Sequence, residues 1–429
     1  LLLILLISWL KLNTFLSFLI VSLGIGFANG MSVTAITDSV QKGMGDLLGS
    51  LLVILVVGAM LGKLIADSGA AQRIVSALMK RFGMKYIVWA LVITAFIVGI
   101  PLFYGIGFVL MVPLVITLSY KYDIPAVYIG LPMLASLSVT HGYLPPHPSP
   151  VALIRQYHAD LGLTLLYGFI AAVPAIIIAG PVFALTLKKY KQKPLATFAG
   201  KPIAEEDLPG LADSLITALL PVVLIAGATI VNLSGAPQNF LVRVITALGD
   251  PIVALLLTLI YALYALVLKK GKKLGPCMVS LGDAVRDISM ILLIIAGAGA
   301  LKEILTQSGT ADQIAAAMQG FSKYPILASW GIAAIIRVCL GSATVAGLTT
   351  AGIMAPMLSA STVNPSLIVL ATGAGSLMFS HVNDSGFWMF KEYFNLSIKD
   401  TIRTWSMMET IVSVVGLFAV LGISFFVSH

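Results

Sequence analysis

The chain contains one pattern twice, 240 residues apart. Ser136-Leu137-Ser138-Val139-Thr140-His141 recurs as Ser376-Leu377-Met378-Phe379-Ser380-His381, and Ser68-Gly69-Ala70-Ala71-Gln72-Arg73-Ile74 recurs as Ser308-Gly309-Thr310-Ala311-Asp312-Gln313-Ile314. Trp89 matches Trp330, and Pro113 matches Pro356, with slightly larger shifts that small insertions explain. A repeat of this length in a very apolar chain implies two related halves packed against each other in a membrane. That plan is common among transporters.

Composition sets the class. The chain is 59% hydrophobic and 10% charged, with a mean hydropathy of +1.02, whereas soluble domains carry roughly 25% charged residues. Apolar stretches recur from end to end, so the natural environment is a lipid bilayer crossed many times by helices. The runs are continuous and do not alternate, which excludes a β-barrel. A formal charge of +8 would suit nucleic acid if it were clustered on one face. Here the Lys and Arg sit in short loops between spans, as the positive-inside pattern requires. Cys277 and Cys339 lack zinc-ligand spacing and read as packing residues. The opening LLLILLISWL is too short to span before Lys11 and reads as the end of a first helix rather than a signal peptide.

Full spans are expected at about 1–11 (truncated), 14–30, 49–66, 163–187, 211–232, 245–268, 288–306 and 401–427, with amphipathic surface stretches at 70–83 and 310–321. Residues 87–118 and 327–358 are apolar but interrupted by Gly and Pro, the pattern of a re-entrant hairpin. Segments 125–158 and 366–399 begin as helices and then break, at Thr140–Pro150 and Ser380–Gly386. Pro145, Pro146, Pro148 and Pro150 forbid a continuous helix in the first. The polar run Ser-His-Val-Asn-Asp-Ser-Gly competes with helix bonding in the second. If Lys80, Arg81 and Lys85 are cytoplasmic, then counting crossings puts Lys121, Lys188, Lys189, Lys191, Lys193, Lys269, Lys270, Lys272 and Lys273 on the same side. The expected fold is therefore an all-α polytopic membrane protein of two inverted-topology repeats. It has about ten crossings, two re-entrant hairpins and two discontinuous helices. Residues 1–187 form the first repeat, 188–210 a cytoplasmic linker and 211–429 the second repeat.

In such a plan the substrate sits near the midplane where broken elements meet. The hairpin tips near 101–107 and 342–347 and the breaks at 140–149 and 380–386 should converge there. Half-helix N-termini suit a carboxylate. The hydroxyls of Thr140, Ser342, Thr344, Ser380 and Ser385, with Asn383, suit a polyol, and the combination suits a sugar acid. His141 and His381 occupy equivalent places, with His147 nearby. They either hold exposed backbone carbonyls at a broken helix or contact substrate and carry a proton. A carboxylate inside a membrane break is costly, which makes Asp384 a functional candidate unless it pairs with Arg337 or caps a helix. Arg337 either grips the substrate carboxylate or braces its hairpin. Glu409 is a proton carrier or an interfacial group, and Tyr104 a wall of the site or a packing residue. A metal reading of His141, His147, His381 and Asp384 matches no ligand spacing, so no metal and no other cofactor is expected. No P-loop is present, and the coupling must be secondary.

Three stretches, SVTHGYLPPHPSP (138–150), GSATVAGLTTAG (341–352) and SHVNDSGFWMFKEY (380–393), closely resemble signatures of the gluconate:proton symporter (gluconate permease) family. GAMLGKLIADSGAAQRI (58–74), LFYGIGFVLMVPL (102–114) and TWSMMETI (404–411) also fit, so the likeness covers essentially the whole chain. The resemblance implies a carrier, not an enzyme, in the bacterial inner membrane, moving gluconate or a related sugar acid with protons. It is similar to a wider ion-transporter superfamily of homodimers proposed to work as elevators. One departure concerns coupling. Many members follow the first aromatic pair with an acid, whereas here Phe103-Tyr104 is followed by Gly105. The proton is then expected at Asp384 first, with His381, His141 and Glu409 as the other candidates. Competing readings are a sodium-coupled carboxylate carrier and, in another class, an intramembrane metal-dependent hydrolase. Gluconate, idonate, fructuronate, glycerate and D-serine all remain compatible substrates.

Overall fold

A computed structural model describes residues 2–102, 104–194, 203–233, 237, 239–310, 313, 324–358 and 363–427. Every regular element among them is helical. Among the described residues six helices are long and apolar enough to cross a membrane, or seven if one bent pair counts as a span. Most of the expected surface stretch at 310–321, the middle of the linker and Phe103 lie outside the described residues.

Two helices are longer than the hydropathy windows suggested. The span expected at 49–66 is part of Val33–Ser68, 36 residues, and the one at 288–306 belongs to Leu274–Gln307, 34 residues. At 1.5 Å per residue each is about 50 Å long, well beyond a hydrocarbon core of ~30 Å. Hydropathy reports only the membrane-embedded part of such a helix. Ser32 starts the first of them by accepting from the Ala35 amide. These two helices pack on each other along much of their length and touch where Gly43 meets Gly299. A Cβ built on either glycine would lie 2.3 Å from the other's carbonyl oxygen, so only hydrogen at both positions permits this approach.

The span expected at 245–268 is interrupted. Phe240–Leu248 ends at Gly249, and Asp250 caps a new helix, Pro251–Ala262, by accepting from the Ile252 and Val253 amides. A proline at the first helical position and an Asp before it make this restart a local sequence effect.

The two hairpin segments each form a pair of helices. The first pair is Ile87–Gly99 and Tyr104–Tyr122, the second Pro325–Leu340 and Ala343–Leu358. The members of each pair pack against one another. The broken segments also divide, at points shifted from the expected ones. Ala126–Tyr143 carries Thr140 and His141 in its last turns, and Pro148–Gln156 resumes after the Leu144–His147 break. Pro148 lies at the start of that helix, where a missing N–H costs nothing. Pro365–Gly375 ends before Ser376, and Ser385–Tyr393 begins after the Asp384 cap.

Two apolar cores follow from this layout. One gathers the first helix pair, both broken helices, Leu161–Ile177 and Met407–Val427. The other is built around Val33–Ser68 and Leu274–Gln307, and receives Ile336, Leu340, Val345, Ala346 and Leu348 from the second pair. On the first amphipathic helix, Ala70–Phe82, the Gln72 amide both donates to the Ile203 carbonyl (2.8 Å) and accepts from its N–H (3.0 Å). Lys80 pairs with Glu205 in the same stretch. The end of the linker is thereby tied to that helix.

Candidate functional site

Where the helix pairs and the breaks meet there is a cavity of about 440 Å³, within the roughly 300–1,000 Å³ range of small-molecule sites. Five elements line it. The start of Tyr104–Tyr122 supplies Tyr104 and Gly105, and Ala126–Tyr143 supplies Ser138 and His141. The second hairpin supplies Arg337 and Leu340 to Thr344. The second break and the helix after it supply Leu377, Asn383 to Gly386 and Met389. The last long helix, which with its first turns runs over Ile398–Val427, supplies Trp405 and Glu409.

Arg337 is 4% exposed, and its Nη2 lies 2.5 Å from Asp384 Oδ2. Ser380 donates to the same carboxylate oxygen, and Oδ1 accepts from the Gly386 amide at 3.0 Å. Asp384 is thus both an ion-pair partner and the cap of Ser385–Tyr393. The Ser380 hydroxyl also accepts from Trp405 Nε1 at 2.8 Å, and Ser406 donates to the Ser380 carbonyl at 2.5 Å. These bonds fix the second break against the last helix and leave the Ser380 hydroxyl with donor and acceptor already used.

Two histidines hold carbonyls at the ends of hairpin helices. His147 Nε2 lies 2.8 Å from the Gly99 carbonyl. His381 Nε2 lies 3.0 Å from the Val338 carbonyl, which also accepts from Asn383 Nδ2 at 2.8 Å. A helix that stops inside a protein leaves such carbonyls unpaired, and the rings satisfy them. Thr140 donates to the Leu137 carbonyl within its own helix. Of the side chains singled out from sequence, Tyr104, His141, Arg337, Ser342, Thr344, Asn383, Asp384, Ser385 and Glu409 line the cavity. Thr140, His147, Ser380 and His381 are not among its lining residues. Ser138 and Trp405 line it without having been singled out, although both fall inside stretches that carry the family resemblance.

The lining has an electrostatic pattern. The N-terminal turns of Ala343–Leu358 and Ser385–Tyr393 open on the cavity, bringing the positive ends of two helix dipoles beside Arg337. Glu409, 2% exposed, also lines the cavity and accepts from Ser138 Oγ at 2.5 Å through Oε1. Five buried polar atoms on four lining side chains make no hydrogen bond: Tyr104 Oη, His141 Nδ1, Glu409 Oε2, and Arg337 Nε and Nη1. Buried groups normally find partners, and leaving one unpaired costs about 1–3 kcal/mol. Donors and acceptors left open around one cavity are what a polar ligand would complete. Among the described residues no group of three His, Cys, Asp or Glu side chains gathers as a metal would require.

Six or seven membrane-length helices among the described residues, with a charged, ligand-sized cavity between shorter helices and the last long one, make this a polytopic membrane protein. The chain belongs to the GntP permease family, whose model (GntP family permease) matches residues 1–426. It is 46% identical to a high-affinity gluconate transporter of Escherichia coli, over 97% of this chain and 95% of that one. It is 45% identical to the Gnt-II system L-idonate transporter of the same organism, over 99% and 97%. Identity to the gluconate permease of Bacillus subtilis is 46%, over 98% and 97%. Among solved structures, the YdaH transporter of Alcanivorax borkumensis shares the fold with a TM-score of 0.67 at 16% identity, covering 96% of this chain and 98% of that one.

Proposed function

We propose that this protein imports gluconate or a closely related sugar acid together with protons across the bacterial inner membrane. The observation that carries the reading is the set of open hydrogen-bonding atoms around one cavity, with Arg337 and two helix N-termini on one side. An anionic head beside Arg337 and a polyhydroxy tail toward Tyr104, His141 and Glu409 would use all of them. Arg337 remains available because Asp384 occupies only Nη2. Ser342, Thr344, Asn383 and Ser385 would select the hydroxyl pattern. Relatives named for gluconate and for L-idonate at nearly equal identity support the substrate class and leave the individual acid open.

The transport cycle proposed is an elevator in a homodimer. The core holding the cavity would move against the long pair Val33–Ser68 and Leu274–Gln307. The topology proposed is two inverted repeats with ten crossings, in which both hairpins are re-entrant and Lys189 and Lys270 are cytoplasmic. Single cysteines placed at Lys189 and Lys270 are expected to resist a membrane-impermeant thiol reagent applied to intact cells. Labelling of either from outside contradicts the topology.

A thermal-shift series on the purified protein tests the substrate class. A ligand that binds only the folded state stabilises it by about 2.7 kcal/mol at a hundred times its dissociation constant. Gluconate and idonate are expected to raise the melting temperature, and the uncharged alditol of the same length is not. An equal response to acid and alditol, or none to any sugar acid, overturns the reading.

A further inference from the structure

The side chains lining the cavity include two carboxylates and one guanidinium. Arg337 is the one Lys or Arg among the described lining residues, and it faces two carboxylates, Asp384 and Glu409. Asp384 is the structural partner: it takes Arg337, the Ser380 hydroxyl and the Gly386 amide. Glu409 has one hydrogen bond, from neutral Ser138, and a second oxygen with none. No ion pair to Glu409 occurs among the described residues.

The titratable and polar groups around Glu409 come from four neighbouring elements, while Leu161–Ile177 and Pro365–Gly375, which also pack on the last helix, carry no charged residue. Ala126–Tyr143 brings Ser138, His141 and Tyr143. The helix after the first hairpin tip brings Tyr104, the second hairpin Arg337, and the second break Asp384. Tyr143 is engaged elsewhere, donating to the Val412 carbonyl at 2.6 Å. An ionised Glu409 therefore shares with Asp384 a single cation, Arg337, and an incoming carboxylate would make a third anion around it.

We propose that Glu409 is the proton-binding group of this carrier, and that its proton and the substrate's carboxylate bind together because both depend on Arg337. The inference rests on the sugar-acid reading and adds the coupling residue to it. Protonated at Oε2, Glu409 no longer competes with the substrate for Arg337. It keeps the Ser138 bond at Oε1 and gains a donor for a substrate hydroxyl. When the proton leaves on the other side of the membrane, the renewed charge disfavours the anion and promotes its release. By linkage the two ligands raise each other's affinity by the same factor. Asp384, first choice from sequence, gives up that role because protonating it would break the ion pair that holds the second break to the hairpin.

The test is calorimetric titration of the purified full chain with gluconate, at several pH values and in buffers of different ionisation heat, which counts protons taken up per ligand. On the alkaline side wild type is expected to take up one proton, with affinity falling about tenfold per pH unit, and on the acid side to take up none, with affinity level. Glu409→Gln is expected to bind gluconate with no proton uptake and no pH dependence. In vesicles it should exchange gluconate without accumulating it. Undiminished proton uptake in Glu409→Gln overturns this inference alone. Absence of gluconate binding in wild type overturns the sugar-acid reading and this inference with it. Ser138→Ala keeps the carboxylate but removes its donor, and serves if Glu409→Gln does not fold. It is expected to shift the pH midpoint of binding while still taking up one proton, and an unmoved midpoint contradicts the assignment.

Discussion

Arg337→Ala is expected to be among the most damaging single substitutions in the chain. It removes the cation from a pair in which the arginine is 4% and the aspartate 15% exposed. Breaking a buried pair from one side costs about 3–5 kcal/mol, because the remaining charge is left in a poorly solvated place. Asp384 would keep its hydrogen bonds from Ser380 and Gly386, which moderates the loss without cancelling it. The melting temperature should fall sharply, and gluconate should no longer shift it. Combining Arg337→Ala with Asp384→Ala removes the stranded charge. The double variant should recover part of the stability while still failing to bind. A single variant that melts like wild type would mean that the pair does not hold the second break. A double variant that binds gluconate normally would remove Arg337 from the substrate site.

Gly341→Ala is the second large effect. Gly341 ends Pro325–Leu340 with φ +76, and a Cβ there would lie 2.2 Å from the Asn383 carbonyl oxygen. The left-handed conformation costs a non-glycine residue roughly 1–2 kcal/mol. Overpacking adds about 1–3 kcal/mol, because the obstructing atom is backbone and cannot rotate away. The tip would be pushed off the second break, separating Ser342 and Thr344 from Asn383 and Ser385. Melting and gluconate binding should both suffer, and binding more than stability. Normal binding in Gly341→Ala would show that the tip's seat on Asn383 is not needed for the site.

How much of this could be read from the sequence depended on the kind of signal each element carried. The first break was legible because four prolines within six residues leave a helix no choice. The tip at Gly341-Ser342 was legible because a glycine punctuates an apolar run. The start of the second break was not. Ser376 to Phe379 contains no glycine or proline, and the contacts that hold the following Ser380 come from later in the chain, through Trp405 and Ser406. The long pair at Val33–Ser68 and Leu274–Gln307 was underestimated because polar residues such as Asp283, Arg286 and Asp287 extend a helix without raising hydropathy.

The histidines show a similar limit. Sequence placed them near the breaks, but which carbonyl is left unpaired is a property of the packed helices. His147 and His381 proved to face Gly99 and Val338, while His141 faces the cavity. Ser138 aligns with Met378 in the sequence pattern that recurs 240 residues on, a polar-for-apolar exchange that was open to notice. Its meaning depends on Glu409, which lies 271 residues away.

Proteoliposomes holding only this protein would separate proton-driven uptake of a sugar acid from every other mode of transport. With an alkaline interior and no sodium on either side, labelled gluconate is expected to accumulate above its external concentration. A protonophore should collapse that accumulation while leaving exchange intact. Accumulation that ignores the pH gradient, or that requires sodium, would contradict the account.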